Sequence, residues 1–524
     1  MDYLIRFAQT HESFRLAEIE ALACRAGNLK YDIISYTSDS PFCIIRFHNL
    51  PSTCTSTSTH PSSSSSSSSP HETVIDEIIR AFEAKAIISR GIYELWGVGT
   101  NYDELHTDVQ RQSVHLWPKY QEMTFKFVID CYGNTRDMNT QRQLIQSFSY
   151  LAFRGKISMK NPEAEFAVME EWTLPEHVSS GEGGAPPSST DLVQLQSPSG
   201  SSTPKVKVAP TLKHVYFGRK IGDSQRHLID KHDLKKRPYI STTSMDAELA
   251  LVTATLALAA PGKMFLDPFV GTGGFMVAAA ELGALVFGSD IDGRSFRGKG
   301  LGLEKGVGAN FEKYNLTHLF GDCITSDLTN TPLRINQGTS ENKDDRWLDG
   351  IVSDPPYGVR EGLKVLGMRR PNPQTDSDGP DGSLSPPPPP FVPPVHMIDG
   401  VLAHTRPGYI PPKRPYSFDR MLDDILDFAA RTLVDGGRIA FWMPSANENE
   451  LGEEEITAIP THPLLDLKHE CIQRFNKWSR RLLVYQRVPG AVERHNPDGG
   501  RVENGYTADE LNRFRKRYFQ PVKS

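Results

Sequence analysis

Met264-Phe265-Leu266-Asp267-Pro268-Phe269-Val270-Gly271-Thr272-Gly273-Gly274 is a short apolar run that stops at an acid and turns through three glycines. A helix of small residues is expected from Phe275 to Leu282, then a second apolar run, Leu285 to Ser289, ending in Asp290-Ile291-Asp292. Strand, glycine turn, helix, strand, acid is the layout of a nucleotide-binding βαβ unit. The glycines allow a ligand to approach the backbone closely, and an acid at the tip of the second strand accepts from ribose hydroxyls.

The turn is not G-x-G-x-x-G, and it opens with an acid that would repel a pyrophosphate, which argues against a nicotinamide cofactor. An acid beside the glycines suits a ligand with cationic groups, such as S-adenosylmethionine with its ammonium and sulfonium. Taken alone, a glycine-rich turn is a weak signal. It gains weight from a second stretch, Gly350-Ile351-Val352-Ser353 running into Asp354-Pro355-Pro356-Tyr357-Gly358.

That second stretch reads as a buried strand whose tip cannot continue, because neither proline can donate to a sheet ladder. In an open α/β sheet this end is where ligands bind. The Asp354 carboxylate and the Pro355 carbonyl are two acceptors side by side, with the Tyr357 ring next to them. Methylation of an exocyclic amine on a base needs such a shelf: the acceptors grip the N–H groups and draw the lone pair out of conjugation, while the ring stacks on the base. The plainer reading of Asp-Pro-Pro-Tyr is a turn after a strand.

At 524 residues the chain exceeds one ordinary domain. Net charge of −6 gives no general sign of a polyanion partner, so local charge decides. The six cysteines form no C-x-x-C pair, which argues against a zinc site and against a disulfide framework. No stretch reaches membrane-spanning length without charge. A soluble, cytoplasmic protein with no resident metal is expected.

Upstream, strands are expected at 3 to 8, 42 to 47, from Phe125 through Phe127 and Ile129 to an end at Gly133-Asn134, Ile157 to Met159 and Phe166 to Trp172. Helices are expected around Leu16 to Ala26, Thr73 to Ile88 and Leu144 to Leu151. This makes residues 1–172 an α+β block, interrupted at 52–70 by a Ser-rich stretch too polar to build a core. Residues 173–204, rich in Gly, Ser and Pro, read as a linker to a domain spanning 205–490 with a Pro-rich insert at 371–394, and 491–524 as a tail. Beyond the linker lies a basic cluster, Lys205, Lys207, Lys213, Arg219, Lys220, Arg226, Lys231, Lys235, Lys236 and Arg237. Residue by residue this is a solvated face; as a group it offers a track for a nucleic-acid backbone. Helices are expected at Ser244 to Ala260, with Thr243 and Asp246 at its start, and at Ser417 to Val434. Strands are expected at Arg438 to Met443, Glu470 to Phe475 and Leu482 to Gln486. The segment Asn476 to Arg481 between the last two is basic and aromatic: it reads either as an RNA contact or, through Trp478, as a partly buried cover.

Lys236-Arg237-Pro238-Tyr239-Ile240, Thr243-Ser244-Met245-Asp246, Asp267 to Gly274, Asp290-Ile291-Asp292 and Asp354 to Gly358 together resemble the catalytic subunit of the eukaryotic and archaeal tRNA (guanine-10, N2)-methyltransferase family. The N-terminal block, with Gln146-Ser147-Phe148 and Lys160-Asn161-Pro162-Glu163, resembles that family's THUMP-containing RNA-binding region. The resemblance covers most of the chain outside the low-complexity inserts. It implies an α/β protein: a doubly wound, Rossmann-like class I methyltransferase domain behind an α+β THUMP-type region. It implies that Asp267, Gly271 and Gly273 line an S-adenosylmethionine pocket, that Asp290 holds the ribose, with Asp292 the alternative at the same strand tip, and that Asp322 after Gly321 reaches the adenine amine. Asp354, Pro355 and Tyr357 would handle the target base. The reaction implied is methyl transfer to the N2 amine of a guanine in tRNA, with a small zinc-binding activator subunit as partner. The rivals are another amine, such as adenine N6, a ribosomal guanine or glutamine, and a tRNA-binding scaffold without catalysis.

Overall fold

The structure is a computed structural model that describes residues 1–48, 50, 74–173, 210–336, 345–359, 363–367, 397–406, 409, 412–446, 458–475 and 478–490. The Ser-rich stretch 52–70, the Pro-rich stretch 371–394, the tail 491–524 and all but Thr173 of the linker lie outside these residues, as do Lys205 and Lys207. Two compact units are present. The first is Met1–Asp233 with Ala247–Leu258 and Cys471–Lys477; the second is Leu234–Asp246, Ala259–Glu470 and Trp478–Ser524.

In the first unit seven strands form one sheet: β1 (Tyr3–Phe7), β2 (Lys30–Tyr36), β3 (Phe42–His48), β4 (Ser89–Gly99), β5 (Phe125–Tyr132), β6 (Ala164–Trp172) and β7 (Leu212–Asp223). Their order is β2-β3-β1-β4-β7-β6-β5, antiparallel except for the parallel pair β5 and β6. The helix Arg15–Arg25 ends, as expected, at Gly27 and Asn28, both at positive φ. Aromatic side chains dominate one core: Trp96, Phe148, Phe166 and Phe217 meet at ring separations of 4.5 to 6.1 Å. Ile157, expected in a strand, makes only an isolated bridge to Phe125.

β7 corrects the expected boundary at 205. It pairs with β4 through Leu95↔Gly218 and with β6 through Phe166↔Arg219, at the middle of the first sheet, so this unit runs on to Asp233. It also changes the reading of the basic cluster. Arg219 is buried and donates to Glu94 (2.9 Å) and Asp76 (2.9 Å), Lys213 pairs with Glu171 (3.0 Å), Lys220 with Glu165 (3.5 Å), and Arg226 with Glu248 (2.9 Å). These cations pair with neighbouring carboxylates, which reduces the net positive charge that this part of the cluster presents.

The second unit holds β8 (Met264–Asp267), β9 (Leu285–Asp290), β10 (Phe320–Thr325) and β11 (Leu348–Ser353). The small pairs β12 (Lys364–Leu366) with β15 (Lys413–Pro415) and β13 (Met397–Ile398) with β14 (Val401–Leu402) follow. Then come β16 (Leu433–Ala446), β17 (Leu465–Arg474) and β18 (Trp478–Arg487). The large sheet has the order β10-β9-β8-β11-β16-β18-β17, with β10 through β16 parallel and β18 antiparallel to β16. This is a doubly wound α/β sheet. Its strand order reverses between β8 and β11, the place where such sheets bind ligands at their carboxyl ends. The helix Phe418–Thr432, N-capped by Ser417, lays Met421, Leu422, Ile425 and Ala429 on one face. Trp478 to Arg481, expected between strands, begin β18, and the helix expected from Ser244 starts at Ala247.

Candidate active site

A cavity of about 790 Å³ opens in the second unit at the carboxyl ends of β8, β9, β10 and β11, within the range of small-ligand sites. β8 delivers Asp267 to it, 1% exposed, with its Oδ1 accepting from the Phe269 amide at 3.0 Å. The turn that follows needs its glycines: Gly271 and Gly273 have φ of +49° and +78°. A Cβ on Gly273 would stand 2.7 Å from Val307 Cγ1. The Gly271 amide donates to Asp290 Oδ2 (3.0 Å) and the Asp292 amide to Asp290 Oδ1 (2.8 Å), so one carboxylate ties the glycine turn to the tip of β9. Each oxygen keeps a second lone pair for a ligand hydroxyl.

Burial pushes the Asp267 carboxyl up to about 8, with the charges of Asp290 and Asp354 adding to it. Asp290 is raised as well, first by burial. Burial of this kind makes the Asp267 carboxyl hold its proton more tightly until a cation arrives to stabilise the charge.

β11 runs beside β8 in the register Ile351↔Leu266, which brings the Asp354 shelf next to Asp267. Asp354 is half-buried; its Oδ1 lies below the surface without a hydrogen-bond partner. Burial raises this carboxyl to about 6, against the Tyr357 hydroxyl and the Arg480 guanidinium, which favour its charge. Pro355 is buried, and the Tyr357 ring meets Trp478 edge-on at 6.2 Å. Arg480 lies over the Trp442 ring, 4.8 Å from its centroid, and lines the same cavity.

Two of the expected acids stand elsewhere. Asp292 caps the short helix Gly293–Phe296 and pairs with Arg294 (2.7 Å), whose hydrogen bond brings its carboxyl down to about 2; it is not part of the cavity wall. Asp322 is exposed in the body of β10, its Oδ1 accepting from the Cys323 amide (2.7 Å). Because Thr325 lies opposite Asp290, the tip of β10 is Ser326-Asp327, and Asp327 lines the cavity where Asp322 does not. The signal was present in the chain: apolar residues continue past Asp322 at Cys323 and Ile324 before the second acid, Asp327, appears. Arg480, within the basic, aromatic segment, and Ser241 to Met245, which overlap a family motif and the expected helix start, both form cavity wall.

The donor set fits a cationic nucleoside ligand. Asp267, Asp290, Asp327 and Asp354 outnumber Lys364 and Arg480 around the cavity, and glycine backbone forms one wall where a side chain would intrude. Among the described residues no group of three or more His, Cys, Asp or Glu could hold a metal ion, and no helix is long and apolar enough to cross a membrane.

The family model described as the Tmrp11 THUMP N-terminal domain matches residues 1–55 and 67–186, and the RMKL-like methyltransferase domain matches residues 235–322. A Saccharomyces cerevisiae protein named tRNA (guanine(10)-N(2))-methyltransferase is 39% identical over 99% of this chain and 98% of its own length. Its namesake from Schizosaccharomyces pombe is 33% identical over 99% and 96%. Among solved structures, TrmN from Thermus thermophilus aligns with TM-score 0.38 and 14% identity, covering 93% of this chain and 100% of that one.

Proposed function

Because the chain belongs to the tRNA (guanine(10)-N2)-methyltransferase family, we propose that its cavity joins S-adenosylmethionine at the β8 and β9 tips to the guanine amine at the β11 tip. The enzyme methylates the N2 amine of guanosine 10 in tRNA, which sets aside adenine N6, protein glutamine and a scaffold without catalysis. When bound, S-adenosylmethionine supplies an electrophilic methyl group. Asp267 answers its cationic end, Asp290 its ribose and Asp327 its adenine amine, with Gly271 and Gly273 giving it room. Asp292 and Asp322, the other two acids expected from the sequence, support the β9 tip and the β10 strand body in this assignment.

The single observation that carries the assignment is Asp354, an acid with a buried, unpartnered oxygen at the strand tip beside Asp267. Asp354 Oδ1 and the Pro355 carbonyl accept the amine hydrogens of the target, and Tyr357 stacks on its base. As the amine becomes the methylated product it sheds a proton, and Asp354, raised toward neutrality, receives it at Oδ1. The base must leave its stack to reach this shelf, at a cost of a few kcal/mol.

The first unit, THUMP-like by its family match, is proposed to hold the tRNA body. The small zinc-binding activator subunit rests on the family resemblance, and work in the cytoplasm on the scattered cysteines and the lack of a membrane-length apolar stretch. The test is a tRNA carrying inosine, which lacks the N2 amine, in place of guanosine 10, assayed with labelled S-adenosylmethionine in the presence and absence of the activator. Label in the unmodified tRNA alone is the expected result. Equal label in both would overturn the assigned atom.

A further inference from the structure

The segment Leu234–Asp246 belongs to the second unit, and Ser241 to Met245 form part of the cavity wall. Little apolar burial holds it in place. Pro238 and Ile240 to Thr243 are exposed, and only Arg237 and Met245 are buried. A wall with so few apolar contacts sits at the low-stability end of a fold, so its position depends on polar ties.

Two of those ties come from one side chain that the site description leaves out. Asn310, in the helix Val307–Lys313, is 0% exposed. Its Oδ1 accepts from the Tyr239 amide (2.9 Å), and its Nδ2 donates to the Tyr239 carbonyl (2.9 Å) and to the Thr272 carbonyl (3.0 Å). The amide thus closes a two-way pairing with the backbone of the segment and reaches the glycine turn as well. Three positions earlier on the same helical face, Val307 packs against Gly273, where an added Cβ would meet it at 2.7 Å. One helix therefore braces the glycine turn by contact through Val307 and by hydrogen bond through Asn310.

Two further ties repeat the link. The Tyr239 hydroxyl donates to the Ser295 carbonyl (2.5 Å), and the Ser244 and Thr272 hydroxyls share a hydrogen bond at 2.8 Å. A buried amide is costly unless satisfied, and here it bonds to two backbone segments far apart in sequence. A Leu of similar volume would fill the space and leave the Tyr239 and Thr272 backbone groups without their partner.

We propose that Asn310 is a positioning residue that latches the segment 237–246 onto the glycine turn and so holds the cofactor cavity in its binding shape. The inference rests on the proposed cofactor site, and it concerns affinity; Asn310 does not touch the reacting atoms.

The test uses the full chain and S-adenosylhomocysteine as probe. Calorimetry gives the dissociation constant, and hydrogen exchange follows the amides of 237–246. Asn310→Leu is expected to raise the dissociation constant about 10- to 100-fold and to speed exchange in 237–246 of the ligand-free protein, with tRNA affinity unchanged. Methyl transfer at saturating cofactor should stay within about threefold of wild type, so that KM moves and kcat does not. Tyr239→Phe and Ser244→Ala, each removing one outer tie, should move both readouts in the same direction by less, and they carry the test if Asn310→Leu does not fold. Unchanged affinity and exchange in a folded Asn310→Leu, or in the Tyr239→Phe, Ser244→Ala double variant, would overturn the latch. Weaker binding with unaltered exchange in 237–246 would overturn it too. If wild type itself failed to bind the probe, the cofactor assignment would fail, which is a separate outcome.

Discussion

In the sheet of the first unit, Arg219 sits between Asp76 and Glu94 with donors 2.9 Å from each, and Glu170 accepts from the Tyr102 hydroxyl (2.6 Å), Arg136 (3.0 Å) and Trp172 Nε1 (2.8 Å). At the tips of β8 and β11, Asp267 is buried with one backbone donor and Asp354 has an oxygen below the surface with none. Both regions place carboxylates out of water. The acids named in the first have their partners within that unit, whereas in the second Asp354 keeps one buried oxygen without a partner on a residue that lines the cavity. A buried charge that is completed from within serves the fold, whereas one left open is a cost that a ligand must offset.

The largest effect that could break this contrast is at the shelf. Asp354→Ala should lower single-turnover methyl transfer about a thousandfold with little change in affinity for S-adenosylhomocysteine. Wild-type transfer should rise with pH through about 6, as this carboxyl ionises.

On the structural side, Arg219→Ala leaves Asp76 and Glu94 buried without their cation and should cost about 3–5 kcal/mol of stability by urea unfolding. Cofactor affinity of the folded fraction should hold.

The third test is pH. Asp267 has a folded value of about 8 against an ordinary 3.8. The unfolded chain therefore gives up this proton near pH 4 while the folded, ligand-free chain keeps it to about 8. The group's contribution to stability falls as pH rises across that window. Glu18, buried and raised to about 7 while its carboxylate accepts from the Ile87 and Ile88 amides, acts in the same direction over a narrower range. A cationic ligand at Asp267 should release its proton, so calorimetry of S-adenosylhomocysteine in two buffers should show proton release between pH 6 and 8 and affinity rising with pH. Asp267→Asn should abolish that release, whereas Glu18→Gln should leave it.

The smallest effect separates two acids near one strand. Asp327→Asn should weaken S-adenosylhomocysteine about tenfold, and Asp322→Asn should change it by less than about twofold.

The chain announced its second unit because the informative features are local. β8, the glycine turn, the helix Gly274–Glu281 and β9 are consecutive, and glycine at positive φ is required by the turn itself. β7 was misread because the partners that make it a central strand, β4 and β6, lie far away in sequence, beyond a Gly, Ser and Pro stretch with the composition of a linker. Asp322 came from the family resemblance alone; Asp327 becomes visible only once the pairing of Thr325 with Asp290 places the tip of β10 beyond Thr325. Asn310 had no local signal at all. Its meaning arises from two backbone segments, at Tyr239 and Thr272, that tertiary structure brings to it.

The most direct test of the central claim crosses the two regions in one experiment: Asp354→Ala and Arg219→Ala, each measured for methyl transfer to tRNA per folded molecule and for thermal midpoint. The prediction is that Asp354→Ala loses transfer and melts at or above the wild-type temperature, while Arg219→Ala melts well below it and keeps its cofactor affinity. An Asp354→Ala protein that melts lower and still methylates tRNA would contradict the account.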